Sequence, residues 1–262
     1  MPDLPTGPFD LRGLRLDLDR DTERTLRATA RLEALRKKRE ALWSLHPWPF
    51  LRDAVWTMDQ VKGGTGGAKR KFPGEPTEPA PDCPCADGGC GSYYEHLANL
   101  WLATSRLVIP KSRRMLASWE LIACHYWLAR YRPGSAIAFA ARKQGQNDSE
   151  GSAELVKRAW QIHQNLPEDA QKRPATYSWC RLRFDDTGSE ILGIAEGANQ
   201  ARQYTFTAYL ADEFAFWEKA AETYHALLPT LEGGGRLTII SSANPGFMEQ
   251  LVKDQFQPTG AA

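Results

Sequence analysis

Short apolar runs alternate with amphipathic segments over residues 106–241. Apolar runs of strand length bounded by turn residues indicate buried β-strands, whereas apolar positions that recur every three or four residues indicate helices. On this basis we expect strands at residues 107–109, 136–141, 179–184, 190–196, 206–211 and 237–241, and helices at residues 118–131, 152–165 and 216–228. The turn at residues 185–188 joins two of these strands in a hairpin. The alternation elsewhere predicts an α/β fold of three layers with a mostly parallel central sheet.

The segments before residue 106 follow a different pattern. Leucines and alanines recur at helical spacing in residues 19–45, where Asp21 or Thr22 can cap the helix start, and a second helix is expected at residues 93–104. Between them, residues 62–92 are rich in glycine and proline, which predicts a surface insertion rather than a helix or a central strand. We therefore expect an N-terminal arm and helix over residues 1–45 and a main domain over residues 46–256.

Opposite charges nearly balance in this chain of 262 residues, which has 33 Lys and Arg against 32 Asp and Glu. This balance excludes a polybasic protein that coats nucleic acid through bulk charge, but it allows a local basic patch. The first helix has a charged face that either meets DNA or an acidic partner or is simply solvated: Arg31, Arg36, Lys37, Lys38 and Arg39. The sequence has neither an apolar run of membrane-spanning length nor a signal-peptide pattern, so we expect an intracellular protein with reduced cysteines.

A basic loop follows the first strand of the alternating region. Residues 110–119 occupy the position of a phosphate-binding loop, where a strand turns into a helix whose free N–H groups attract anions. The standard pattern G-x-x-x-x-G-K-[ST] is not met, because Ala117 stands where the lysine belongs. Lys111 at the front of the loop can reach the phosphates from the other side, and Ser118 can offer its hydroxyl to Mg²⁺. The alternative is a basic turn without a ligand.

Two other strands end in polar side chains suited to phosphate chemistry. The strand at residues 206–211 is followed by Asp212 and Glu213, and in phosphoryl-transfer ATPases one acid holds Mg²⁺ while a second polarises the attacking water. The alternative is a helix-capping Asp followed by a first-turn Glu. The strand at residues 237–241 runs into Ser241, Ser242, Ala243 and Asn244. These residues either sense a γ-phosphate at the carboxyl edge of the sheet or simply form a turn.

The order and spacing of these segments resemble those of the large subunit of tailed-phage terminases, the DNA-packaging motors. The resemblance is carried by residues 110–119, 211–217 and 241–246, with residues 47–59 similar to the family's upstream region. It implies a RecA-like P-loop ATPase fold with an additional strand, in which ATP hydrolysis drives double-stranded DNA into a viral procapsid. A lysine displaced toward the start of the loop is a variation that terminases show, so Lys111 supports the resemblance.

The resemblance also implies a role for each motif residue. Lys111 would contact the β- and γ-phosphates, Ser118 and Asp212 would bind Mg²⁺, and Glu213 would be the catalytic glutamate. Arg202, eleven residues before Glu213, matches the place of a trans-acting arginine finger in some terminases. The other loop residues would line the phosphates: Ser112, Arg113, Arg114, Met115, Leu116 and Ala117. The segment that couples hydrolysis to movement, called the coupling segment below, would comprise Ser241, Ser242, Ala243 and Asn244. Adenine would meet Gln60, or the ring of Trp48 or Phe50.

Ligands and partners follow from the same resemblance. ATP and Mg²⁺ would bind the chain, and double-stranded DNA, the portal protein and a small terminase subunit would be its partners. The chain would be monomeric when isolated and would assemble into a homo-oligomeric ring in the host cytoplasm during virion assembly. Terminase large subunits normally continue into a nuclease domain. We expect residues 257–262 to be the truncated linker of an excised ATPase domain without nuclease activity, rather than the end of a nuclease-less form.

Two functions of other classes remain open on the sequence alone. One is a non-hydrolysing nucleotide-binding adaptor module, in which Lys111 and the acid pair would be structural. The other is a helicase-like DNA-dependent ATPase. Glu213 argues against the adaptor, because nucleotide binding alone needs no second acid.

The cysteines suggest a candidate zinc site within the insertion. Cys83, Cys85, Cys90 and His96 offer three thiolates and an imidazole, a ligand set that can hold zinc tetrahedrally. The spacing C-x-C-x₄-C lacks the C-x₂-C pairs of common zinc modules, so a loop with incidental cysteines is the alternative. The other two cysteines, at positions 124 and 180, fall in a predicted helix and strand and are expected in the core.

Overall fold

The computed structural model describes residues 20–58, 69–72, 93–113, 115–168, 170, 173–202 and 204–253. The chain divides into two compact units, residues 1–39 and residues 40–262. In the first unit, the described residues 20–39 belong to helix α1 (Arg20–Leu45), which confirms the predicted N-terminal helix. Their described side chains are exposed, except for the half-buried Arg39.

A second helix starts where the first one stops. His46 ends α1, and its imidazole Nδ1 accepts a hydrogen bond from the N–H of Trp48, which caps helix α2 (Pro47–Ala54). Strands β1 (Trp56–Met58) and β2 (Lys69–Lys71) then pair in antiparallel orientation. Helix α3 (Tyr93–Ala103) confirms the predicted second helix. Most of the predicted insertion lies outside the described residues.

The described residues of the second unit form a central sheet of seven strands. Their order is β3 (Arg106–Lys111), β9 (Arg236–Ser242), β8 (Ala208–Asp212), β4 (Ala136–Ala141), β7 (Glu190–Ala195), β6 (Arg181–Phe184) and β5 (Ala175–Ser178). The first five are parallel, and the last two are antiparallel at one edge. All six predicted strands are present, and β6 and β7 form the predicted hairpin. Strand β5, which the sequence pattern does not predict, has the short and mostly polar sequence Ala-Thr-Tyr-Ser and alternates half-buried with exposed residues.

Helices cover both faces of this sheet. On one face, α4 (Ala117–Tyr131) and α5 (Gly151–Gln164) pack with α2 and α3 over a core that includes Phe50, Trp101, Tyr126 and Phe139. On the other face, α6 (Ala198–Arg202), α7 (Ala220–Leu231) and α8 (Phe247–Val252) cover a second core that includes Phe206, Phe214, Trp217 and Leu227. The two cores confirm the predicted three-layer α/β class.

Helix α7 begins later than residue 216, the start that the sequence pattern predicts. Glu213 takes a left-handed backbone conformation, with φ of 51°, and the chain then forms a 3₁₀ turn over Phe214–Phe216. The carboxylate of Glu196 accepts hydrogen bonds from the N–H groups of Glu218 (3.3 Å) and Lys219 (2.7 Å) just before α7. The sharp turn after β8 therefore delays the helix.

Both cysteines outside the insertion are buried, as expected. Cys124 lies within α4, and Cys180 lies in the turn between β5 and β6 with a positive φ of 58° rather than at the start of a strand. No helix among the described residues combines the length and the apolar character needed to cross a membrane.

Arg236, at the start of β9, caps helix α3. Its guanidinium donates to the carbonyls of Trp101, Leu102 and Thr104 and lies 4.5 Å from the centre of the Trp101 ring. The carbonyls of Trp101 and Leu102 lie in the last turn of α3 and lack partners within the helix, Thr104 follows the helix, and a planar guanidinium satisfies several carbonyls at once. We expect Arg236→Lys to lower the free energy of unfolding by about 1–3 kcal/mol, as measured by urea denaturation. The matched change Arg183→Lys, at an exposed position of β6, should leave it nearly unchanged, and equal effects would contradict the capping role.

Candidate functional site

The predicted site residues converge at the carboxyl ends of three neighbouring strands. Strand β9 lies between β3 and β8, so the phosphate-loop candidate, the coupling segment and the acid pair are adjacent. In the strand register, Lys111 is the partner of Ser242, and Asp212 is the partner of Ile240. Ligands of open parallel sheets bind at this edge.

The loop between β3 and α4 presents an anion-binding helix start. Leu116, directly before α4, has a left-handed φ of 55°, and its side chain gives the helix no capping hydrogen bond. The first N–H groups of α4 can therefore meet a phosphate. Ser112, Arg113 and Met115 are exposed within the loop, and Arg114 lies outside the described residues.

Ala117, which stands at the usual lysine position, faces the core. It is only 3% exposed and belongs to the apolar cluster beneath α4. A lysine at this position would have to bury its charge or displace that packing, which is costly. The packing therefore disfavours a lysine at the usual position of this loop.

Lys111 and Glu213 form an ion pair at the centre of the site. Lys111 Nζ lies 2.9 Å from Glu213 Oε1, and the lysine side chain is only 9% exposed. Partial burial alone would raise the pKa of Glu213, but the hydrogen bond and charge of Lys111, together with Ser242, hold that pKa below its usual range. Glu213 is therefore ionised at neutral pH, as a residue that polarises water must be.

Ser118 and Asp212 form a second contact at this edge of the sheet. The Ser118 hydroxyl donates to Asp212 Oδ1 at 2.8 Å, although the two residues are far apart in sequence. Burial raises the pKa of Asp212, and the charge of Glu213 adds to that effect, while the Ser118 hydrogen bond opposes it. A hydroxyl and a desolvated carboxylate side by side are hard oxygen ligands, so this donor set fits Mg²⁺.

The coupling segment contacts the same glutamate. The Ser242 hydroxyl donates to Glu213 Oε2 at 3.0 Å, and the Ser242 N–H and the Ser241 hydroxyl each lie 3.4 Å from that oxygen. Asn244 Nδ2 donates to the carbonyl of Ala215 at 2.9 Å, and Ala243 is exposed. The segment is thus tied both to Glu213 and to the turn after it.

Arg202 is exposed at the end of α6 and does not join this cluster. Among the described residues it has no hydrogen-bond or ion-pair partner. Glu196, an acid close to Arg202 in the sequence, accepts hydrogen bonds at the start of α7 instead. The assignment of Arg202 as an arginine finger stays a prediction.

The structure narrows the adenine candidates. Phe50 is fully buried against Trp43, Tyr126 and Tyr131, so its ring is core rather than a nucleotide platform. Trp48 is also buried. Gln60 lies outside the described residues, and its role stays a prediction.

The zinc hypothesis remains untested for a similar reason. Cys83, Cys85 and Cys90 lie outside the described residues, whereas His96 is exposed on α3. The described residues include no cluster of three His, Cys, Asp or Glu side chains that could hold a metal ion.

Two contacts of the site escape sequence reasoning. The Tyr93 hydroxyl, at the start of α3, donates to the Met115 carbonyl and ties the loop to that helix. Arg158 of α5 lies 5.6 Å from the centre of the Trp119 ring, and its charge favours the ionised form of Asp212. Neither Tyr93 nor Arg158 belongs to a sequence motif. Only the packing of α3 and α5 beside α4 brings these two side chains to the site.

Comparisons with known proteins return solved structures of phage terminases. No protein-family model matches the chain, and no curated protein is a significant match. The ATPase domain of the large terminase of Thermus phage P74-26 aligns at 16% identity over 62% of this chain and 68% of that one, with a TM-score of 0.46. The large terminase of bacteriophage HK97 aligns at 12% identity over 63% of this chain and 36% of that one, with a TM-score of 0.49. At these identities, function has to be inferred from the site residues themselves.

Proposed function

We propose that this chain is the ATP-hydrolysing motor domain of a terminase-like machine with a RecA-like P-loop fold, which drives double-stranded DNA into a viral procapsid. The observation that carries the proposal is the convergence of Lys111, Ser118, Asp212 and Glu213 at one sheet edge, through hydrogen bonds of 2.9 and 2.8 Å. A basic group, a hydroxyl and two acids are the set that ATP hydrolysis requires.

ATP would bind with its phosphates on the loop between β3 and α4. The open N–H groups at the start of α4 and the Lys111 ammonium would neutralise the β- and γ-phosphates. Ser118 and Asp212 would hold Mg²⁺, which supplies positive charge to the phosphate oxygens when bound. Gln60 remains a candidate contact for adenine.

Glu213 would polarise the attacking water. In the ligand-free arrangement its Oε1 is engaged by Lys111 and its Oε2 by Ser242. A triphosphate competes with Glu213 for the Lys111 ammonium, so ATP binding frees one carboxylate oxygen to accept a proton from water. The state of the nucleotide would also reach the coupling segment, because Ser242 shares that carboxylate.

Assembly would complete the site. The proposed partners are double-stranded DNA, the portal protein, a small terminase subunit and further copies of the chain. Among the described residues, Arg202 is exposed and forms no hydrogen bond or ion pair with its own acid pair, which suits a finger that adds positive charge to the site of a neighbouring copy.

Mixing two variants tests the role of Arg202. An Arg202→Ala subunit keeps its glutamate, and a Glu213→Gln subunit keeps its arginine. Neither variant alone should show the rise of phosphate release per subunit with concentration that we expect of the unmutated chain. Mixed assemblies should recover activity, measured as phosphate release at increasing total protein. If mixtures recover none where the unmutated chain assembles and turns over, Arg202 does not act between subunits.

Phosphate release from ATP distinguishes the proposal from its alternatives. With Mg²⁺ we expect turnover that rises when duplex DNA is added, whereas a nucleotide-binding adaptor would bind ATP without turnover. A helicase-like ATPase would also separate the strands of a partial duplex, which a packaging motor should leave paired. ATP binding without phosphate release by the assembled chain would contradict the proposal.

A further inference from the structure

Positive charge is concentrated in the first unit of the chain. Residues 20–39 contain eight Lys and Arg against three Asp and Glu, although the whole chain has only one more basic than acidic residue. The remaining residues are therefore slightly acidic in sum. A separate unit that carries the chain's excess of positive charge is a candidate surface for a polyanion.

Four exposed cations of this helix are aligned along one face. At about 100° per residue, Arg24, Arg27, Arg31 and Lys38 fall within a sector of about 60° around the axis of α1. All four side chains are exposed. We call these four residues the basic stripe. Glu33 projects from the opposite side of the helix, and the other two acids of residues 20–39 also lie outside the sector.

The dimensions of the basic stripe match duplex DNA. Fourteen residues separate its ends, which corresponds to about 21 Å along a helix. The phosphates of one DNA strand are about 3.4 Å apart when measured along the duplex axis, so a stripe lying along that axis spans about six of them. An α-helix also fits the major groove, which is about 12 Å wide.

The composition of the helix fits contacts to the backbone, because Arg and Lys bind phosphates of any sequence. Residues 20–39 contain no Asn or Gln, the side chains that read adenine by paired hydrogen bonds. We propose that the basic stripe of α1 binds the phosphate backbone of double-stranded DNA without sequence preference. The choice of DNA as the polyanion rests on the proposed function, since a packaging motor must hold DNA of any sequence.

A matched pair of double variants tests this proposal in the full chain. Arg24→Gln with Arg31→Gln removes two charges from the basic stripe. Arg36→Gln with Lys37→Gln removes the same charge from exposed positions of the same helix that lie outside the sector. Glutamine and the replaced residues have similar helix propensities, and circular dichroism checks that helicity is kept. Binding of a labelled 30-base-pair duplex is followed by fluorescence anisotropy at several salt concentrations.

We expect the stripe variant to bind at least tenfold more weakly than the unmutated chain at about 0.1 M salt. Its plot of log affinity against log salt should be shallower by about 2, whereas the control variant should lose less than threefold. Equal losses in both variants, or none in either, would overturn the inference. Unchanged DNA binding together with lost binding to an acidic protein would assign the stripe to a different partner and also overturn it.

The outcome is separable from the proposed function. Phosphate release from ATP without DNA should be unchanged in the stripe variant. If the unmutated chain binds DNA through the stripe but never hydrolyses ATP, the motor proposal fails and the DNA surface stands. If it hydrolyses ATP while the stripe variant binds DNA normally, only the inference about α1 fails.

Discussion

Glu213→Gln should reduce phosphate release by about 10³-fold while ATP still binds. The substitution keeps the size of the side chain and removes the charge that polarises water. It also replaces the ion pair that holds Lys111 at 2.9 Å with a neutral hydrogen bond at most, which leaves the ammonium more available to a triphosphate. We therefore expect ATP to bind at least as tightly as to the unmutated chain, measured by calorimetry beside a phosphate-release assay.

The control for this variant is Glu222→Gln, which makes the same change at an exposed position of α7. It should leave both binding and turnover unchanged. If Glu213→Gln abolished ATP binding together with hydrolysis, Glu213 would be needed to build the site rather than to act on water, and its proposed role would be wrong.

Lys111→Ala should reduce turnover by about 10²-fold or more, which corresponds to roughly 3 kcal/mol of transition-state stabilisation. The ammonium is the closest described cation to Glu213 and stands at the front of the loop. Its loss leaves the developing charge on the γ-phosphate without that neutralisation. The measurement is steady-state phosphate release at saturating ATP, with Lys219→Ala as a control at an exposed position.

Adding Ala117→Lys to the Lys111→Ala variant should not restore activity. Ala117 is 3% exposed in the core under α4, so a lysine there cannot take its usual course to the phosphates without disturbing the packing. Unchanged turnover in Lys111→Ala, or full rescue by Ala117→Lys, would show that the front lysine is not the phosphate-binding residue of this loop.

The strands and the main helices follow from the sequence because their signals are local. Residues 136–141 are apolar throughout, as a strand buried on both faces must be, and β4 lies at the centre of the sheet. The sequence also predicts that Lys111 and Asp212 lie at one edge of the sheet, because parallel strands bring their carboxyl ends together. The proximity of the site residues was therefore within reach of pattern reasoning.

The contacts between site residues depend on backbone geometry that no pattern encodes. Glu213 reaches Lys111 from a left-handed backbone conformation, which is rare outside glycine. Phe50 belongs to the core because α2 packs against α4. The burial of its ring therefore depends on a helix that the sequence pattern does not predict. Tyr93 meets Met115 only because α3 lies beside the loop. Each of these contacts joins residues that are far apart in the sequence, so a short stretch of sequence does not carry the information that predicts it.

Residues 237–240 of strand β9 are bonded on both sides, to β3 and to β8, and residues 241–242 are bonded to β3 alone. Any slip of β9 along its own axis would break both ladders at once and turn its side chains to the opposite face. Its inner part therefore acts as a rigid spacer between the strand that ends in Lys111 and the strand that ends in Asp212. Under the proposed function, a movement of Glu213 would therefore reach α8 through Ala243 and Gly246, the segment that follows the last ladder partner, Ser242.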